Sequence, residues 1–334
     1  MDPFDAAGAM RHFTFDAQAT ACAFIGTVLA VAGGDGKVRL CAVDGSFKAV
    51  EVHDGPILAM AANAKGDALY TAGDDGNLKK LGADGSIDIV HEGRRWVDCV
   101  ACSPRGHVAW SCGKTVYLAK EGEAATEVSA PSSVSDLAFS PDGKWLGAAV
   151  YGGAQLIAPN QTDKQKFLEW KGSHLSIGFS TDGRFCVTSM LENALHVWKI
   201  DNPEDKHGRM GGYPTKPLSF DWTADGRGML TAGADVLVMW PFTGTNGPLG
   251  QNAAVFEGGV GMLRSVRARP RSRQVLIGYA AGGVALFDRK DNGFGYIADA
   301  DGSPVIDVQF SPDGRLAGFI RENGTAGLLD MGKG

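Results

Sequence analysis

The sequence predicts an all-β fold, and three observations carry that prediction. Apolar residues alternate with polar or small ones over short runs, the period of a strand: Leu137 and Phe139 stand between Asp136, Ala138 and Ser140. No 3.6-residue amphipathic period lasts long enough for a stable helix. Glycine is abundant, 47 of 334 residues, with no collagen period, so the glycines mark turns. Finally, one phrase recurs from end to end of the chain.

That phrase is clearest as VSDLAFSPDGKWLGAAV (134–150) and VIDVQFSPDGRLAGFI (305–320). Copies at 57–73, 96–111, 175–189 and 218–233 are weaker, and those at 20–34 and 263–279 are degenerate. The residues at the first turn are Gly26, Gly66, Gly106, Gly143, Gly183, Gly226, Ser272 and Gly314, spaced 37 to 46 residues apart. Each unit reads as strand, tight turn, strand, tight turn, strand. In the fourth, Ser140-Pro141-Asp142-Gly143 is a turn with a mechanism: proline presets φ and glycine accepts a positive one. Leu146, Ala148 and Val150 alternate next, Gly152-Gly153 turns the chain again, Ala154–Ile157 follows, and Lys166–Trp170 is a fourth strand. A period near 40 residues with four short strands predicts the blade of a β-propeller.

The last unit stops after its third strand (324–331), and the N-terminus offers a spare one (11–17). Pairing the two removes both free sheet edges. The expectation is a single closed propeller of four-stranded antiparallel blades. Eight blades are expected, with seven as the alternative and the N-terminal strand closing the last. Residues 1–10 are expected to be a flexible tail and 11–332 the propeller.

The FSPDG turn, the Asp-Gly between second and third strands, and the Trp in HVWK (196–199) and VMWP (238–241) resemble WD40 repeats. The resemblance covers nearly the whole chain, with degenerate motifs. No unit keeps the family's Trp-Asp ending, and only Trp198 and Trp240 keep the Trp. His53 and His91 echo the family's Gly-His, and Asp35 and Asp75 match the Asp of its turn. The Asp–His–Ser/Thr–Trp network of the family is expected to be complete in no blade.

Motifs for chemistry are sparse. Cys99 and Cys102 form a CxxC on an expected strand, where residues three apart point to opposite faces, so they are read as core cysteines. Seven histidines show no metal spacing, and the acidic Asp-Gly turns lack the later Glu of a calcium loop. There is no phosphate loop and no nucleophile elbow. The expectation is no enzyme, no metal and no cofactor. The alternative is a ligand, metal or enzymatic site in a central channel, using Asp136, Asp221 and Asp307 on first strands, with Cys99 nearby.

Net charge of −6 argues against nucleic acid as a partner. No apolar run is long enough to span a membrane, the first residues do not read as a secretory signal, and six cysteines are an ordinary intracellular number. A cytoplasmic monomer is expected. The resemblance and the missing chemistry together imply a non-catalytic scaffold that presents loops to a protein or peptide partner. The loops joining second to third strands, and one unit to the next, share a face expected to be mostly acidic. On it Arg94, Arg95 and Trp96 combine residue types that dominate interface energetics. His174, Tyr213 and Lys216 take equivalent places in later units. A second candidate contact is Arg267, Arg269, Arg271 and Arg273, a run of cations suited to gripping an anion. Two long connections, 201–216 and 241–252, complete the candidates.

Overall fold

The computed structural model describes residues 10–332. Residues 1–9, most of the expected tail, lie outside the described residues. Met10 belongs to a strand, Met10–Thr14, and is buried. Regular structure among the described residues is entirely β, and no helix is long and apolar enough to cross a membrane.

The chain forms two compact units. The first takes in residues up to Val52, Leu218–Thr243 and the chain from Gly250 on. It holds four four-stranded antiparallel sheets, of which Ala19–Ile25, Val28–Gly33, Lys37–Cys41 and Phe47–Glu51 make one. Another sets Met10–Thr14 beside the last strand, Thr325–Asp330, with Met10 opposite Leu329 and Thr14 opposite Thr325. Phe13 and Phe15 thereby join Leu316, Ile320 and Leu328 in one buried cluster. The second unit takes in His53–Pro217 and Gly244–Leu249. It holds two four-stranded sheets, starting at Ile57 and Cys99, and one of six strands that runs from Asp136–Phe139 to His207–Met210.

Counted as hydrogen-bonded sheets, the blades number seven among the described residues, and this overturns the expectation of eight. No sheet is closed on itself by hydrogen bonds. The difference lies in the fourth and fifth sequence repeats, which share the six-stranded sheet. Its strand Leu146–Ala158 runs through the expected Gly152-Gly153 turn, and Gln161–Phe179 carries the end of one repeat into the start of the next. Tyr151 pairs with Ser173, so the ladder continues where a break is expected. Gly152 and Gly153 have φ of 88° and 151°, which lets the chain turn inside that continuous run.

Within each sheet burial falls from the middle outward. The second strands Ala68–Gly73, His107–Cys112 and Phe185–Met190 are buried at every position. Edge strands such as Ile87–Glu92 are mostly exposed. Small residues in the middle strands let neighbouring sheets approach: a Cβ on Gly278 would stand 2.4 Å from the Val305 side chain.

Side chains build the first turn in the fourth, fifth, sixth and eighth repeats. Ser140 Oγ donates to Asp142 Oδ1 (2.8 Å), Asp142 Oδ1 accepts the Lys144 N–H (3.1 Å), and Ser140 Oγ accepts the Trp145 N–H (3.0 Å). Ser180–Asp182, Thr223–Asp225 and Ser311–Asp313 repeat the arrangement at 2.5–2.7 Å. Gly143, Gly183, Gly226 and Gly314 supply the left-handed residue that follows. The seventh repeat differs: its left-handed residue is Arg271 (φ 57°), one place before the expected Ser272. Pro270 then takes the second position of the turn and Arg271 the third, the pattern of a type II turn.

At three junctions between repeats, N–H groups of a first strand that lie outside the ladder are satisfied by the preceding repeat. Asp136 accepts the N–H of its neighbour Leu137 (2.8 Å) and that of Ile177 in the next first strand (2.9 Å). Asp221 does the same for Trp222 (2.8 Å) and Ala268 (2.9 Å). Hydroxyls repeat the device, Ser219 for Val266 (3.0 Å) and Ser265 for Val308 (3.2 Å). Asp136 and Asp221 are two of the three carboxylates expected to line a channel site, and in the structure they fasten backbone. The third, Asp307, accepts from the Val308 N–H (2.9 Å), Ser265 Oγ (3.1 Å) and Gln309 Nε2 (2.7 Å).

Replacing Asp221 by Ala leaves two half-buried N–H groups without their acceptor. The expected loss is about 1–3 kcal/mol, read as a lower urea midpoint at unchanged m. Acid sensitivity follows from the turns. Burial acts to raise Asp142, but the Lys144 side chain and N–H and the Ser140 hydroxyl outweigh it and hold the carboxyl at about 2. The folded value is depressed, so the stability Asp142 contributes is present above its ordinary 3.8 and is lost as pH falls toward about 2. Wild type should lose stability through that window more steeply than Asp142→Asn, in denaturation series at stepped pH.

Candidate functional site

The loop from Gly93 to Asp98 is held at both ends and pushed outward between. Gly93 N–H donates to Gly76 O (3.0 Å), and Val97 N–H donates to Gly73 O (3.1 Å). A Cβ on Gly76, whose φ is 83°, would stand 2.3 Å from Gly93 O, so this approach requires glycine. Val97 is fully buried and Asp98 N–H donates to Ser111 O (2.8 Å). With Val97 turned inward, Trp96 points out and is 62% exposed, and Arg94 and Arg95 are exposed beside it. Arg94, Arg95, Trp96, Asp98 and Gly113 line an open cavity of about 310 Å³. Asp98 Oδ2 accepts the Gly113 N–H (2.6 Å), which fixes the cavity's far wall. Trp96 is therefore no cap packed beneath its own loop.

The arginine run does not form one site. Arg267 turns to Asp307 (3.6 Å) and Gln309 (3.4 Å). Arg269 is buried, and its guanidinium donates to Gly314 O (2.8 Å), Gln274 Oε1 (2.6 Å) and Gly332 O (3.4 Å). Arg271 and Arg273 are exposed. Alternation along the strand and the turn divides the four residues between packing and solvent.

The histidines serve structure. His53 Nδ1 bonds Asp75 Oδ1 (2.9 Å) and Nε2 bonds Thr71 Oγ1 (2.9 Å), so the second repeat assembles three of the four network parts, more than the sequence suggests. His91 lies in a strand, with its ring against Trp110 and Tyr117. His174 is buried, bonded to Thr188 Oγ1 (2.7 Å) and Trp170 O (2.8 Å). Tyr213 is buried and Lys216 exposed. His196 lies between Trp170 and Trp198, and burial pushes it down to about 3, with His207 and His174 adding to the effect.

Cys99 is buried and Cys102 half-buried, alternating as a strand demands. Burial pushes both thiols up to about 12, far from a nucleophilic thiolate. Among the described residues no group of three His, Cys, Asp or Glu side chains is placed to hold a metal ion. The long connection after Pro241 has a packing role in part: Gly247 lies on the Phe185 ring and Leu249 approaches Gly208.

Of the acids in the loops expected to form an acidic face, Asp54, Glu92, Glu192, Asp235 and Glu322 are exposed. Asp35 is engaged by Arg39 (2.6 and 2.7 Å) and Asp75 by His53. Sequence reasoning missed Tyr151, which is 60% exposed at the Gly152-Gly153 turn. The signal was there, a large aromatic directly before two turn glycines.

Comparison with known proteins agrees with this architecture. A family model described as "WD domain, G-beta repeat" matches residues 123–153. WD repeat-containing protein 1-B of Xenopus laevis is 23% identical over 151 residues, which is 42% of this chain and 24% of that protein. WD repeat-containing protein 1 of Mus musculus is 22% identical over 145 residues, again 42% of this chain and 24% of the relative. The matched part thus spans about a quarter of those relatives' length. Among solved structures, the computationally designed Ika8 protein superposes with a TM-score of 0.77 over 95% of this chain and 97% of its own, at 15% identity. Repeated four-stranded sheets and the terminal strand pairing give the chain a β-propeller architecture, and in sequence it is similar to WD-repeat proteins.

Proposed function

We propose that the protein is a non-catalytic interaction scaffold that holds a protein or peptide partner on the loop carrying Arg94, Arg95 and Trp96. The observation that carries this reading is Trp96, a large ring 62% exposed on a loop pinned at both ends. A large ring held in water offers apolar area that a partner can bury. Trp and Arg are the residue types that dominate binding energy at interfaces. Because the loop is already ordered, little conformational freedom is lost when a partner arrives. The chain is proposed to act as a monomer in the cytoplasm, on the sequence grounds given above.

Arg271 and Arg273 are a second proposed contact. Arg269 and Arg267 leave that role, since their guanidinium groups face neighbouring strands and turns.

Affinity capture from a lysate of the host, with mass spectrometry, tests the main contact. A partner bound by wild type should be lost from Trp96→Ala/Arg95→Ala, at a cost of about 2 kcal/mol or more. Equal recovery of every partner by both proteins, with both folded, would reject this loop as the contact. The arginine run separates by stability: Arg269→Ala should lower unfolding free energy by about 1–3 kcal/mol, and Arg273→Ala should leave it within about 0.5 kcal/mol, in urea titrations.

A further inference from the structure

The loop carrying Trp96 is one end of a longer exposed strip in the same unit. Gly113, at its cavity wall, accepts the Val134 N–H (2.9 Å), and Lys114 O accepts the Ala130 N–H (2.7 Å). Ser132 Oγ then accepts the Tyr151 N–H (2.8 Å), and Tyr151 pairs with Ser173. Trp96 and Tyr151, 62% and 60% exposed, therefore stand on successive, hydrogen-bonded turns.

Charge along this strip runs against that of the chain. The segments 92–98, 113–115, 130–134, 150–153 and 170–174 hold four cations, Arg94, Arg95, Lys114 and Lys171, all exposed. They hold two acids, Glu92 and Asp98, and the Asp98 carboxylate is turned onto the Gly113 N–H. The protein as a whole has a net charge of −6. Acids border the strip on both sides, Asp54 and Asp74 in the preceding repeat and Glu192 in the following one. A cationic island with two exposed rings, set among acids, complements a short acidic stretch with apolar side chains. It repels a long uniform polyanion, which would overrun the bordering acids.

We infer that the strip from Trp96 to Tyr151 binds an extended acidic segment of a protein partner, with carboxylates at Arg94, Arg95, Lys114 and Lys171 and apolar side chains on Trp96 and Tyr151. This rests on the reading of the Trp96 loop as the partner contact and adds the chemistry of the partner.

Fluorescence anisotropy tests it with three labelled probes: a peptide of Glu-Glu-Leu-Phe repeats, its Lys-for-Glu counterpart, and single-stranded oligothymidylate. The acidic peptide should bind most tightly and weaken as NaCl rises to about 0.3 M. Arg94→Glu/Arg95→Glu and Lys114→Glu/Lys171→Glu should each cost about tenfold or more, and Tyr151→Ala about threefold or more, with thermal unfolding showing each variant folded. Equal binding of acidic and basic peptides, tighter binding of the oligonucleotide, or affinity unchanged by both charge reversals would overturn the inference. So would no binding of the acidic peptide at low salt. In that last case a captured partner lost from Trp96→Ala/Arg95→Ala would still support the scaffold while removing the acidic segment.

Discussion

A sheet packed face to face against another shares no backbone ladder with it, so something else must set their register. Here that constraint is met by the unpaired N–H groups of first strands. Asp221 spans from Trp222 in one sheet to Ala268 in the next, and Asp136 performs the same task between two repeats inside the six-stranded sheet, from Leu137 to Ile177. Ser219 and Ser265 perform the same task with a hydroxyl. Hydrophobic burial holds the sheets together but does not define how far one slides along the next. A directional bond to a buried donor does, because leaving that donor bare is costly. The arrangement has an electrostatic cost: burial raises the Asp221 carboxyl, against the Arg267 charge and the two N–H groups that favour its ionised form.

The turns carry the same logic to the other end of the strands. Ser or Thr two residues before Asp ties off the hairpin by side-chain bonds, so strand length is fixed from both ends. With strand length fixed, the outward loops are defined as well. Trp96 is exposed for this reason: Val97 is anchored inward and Gly76 admits the chain closely, which leaves the ring no place beneath the loop.

Much of the fold was legible because its signals are local. Ser140-Pro141-Asp142-Gly143 names its turn, and alternation names the strands on either side. The pairing of the first strand with the last was also legible, from one missing strand and one spare. The number of sheets was not. The repeat period marks units of sequence, whereas sheet boundaries depend on whether a bridging pair such as Tyr151–Ser173 forms across a turn, which no residue type announces. The left-handed Arg271 was equally hidden, since a positive φ at arginine runs against its intrinsic preference. At the candidate site the composition of 94–96 was readable and its exposure was not. The arginine run looked like a single feature in sequence and was divided by strand geometry.

The pairing of Met10–Thr14 with Thr325–Asp330 also sets an order of events. Roughly 320 residues of synthesis separate the two partners, which at about 5–20 residues per second is a delay of about 16–64 s. Throughout it Phe13 and Phe15 have been made, and Leu316, Ile320 and Leu328, which they pack against, have not. Of the strands in this sheet, the one made earliest is thus the last to find its partner. Phe24, Leu29, Cys41 and Phe47 give those rings early neighbours, so the delay leaves bare the side of the strand that Leu316, Ile320 and Leu328 later cover.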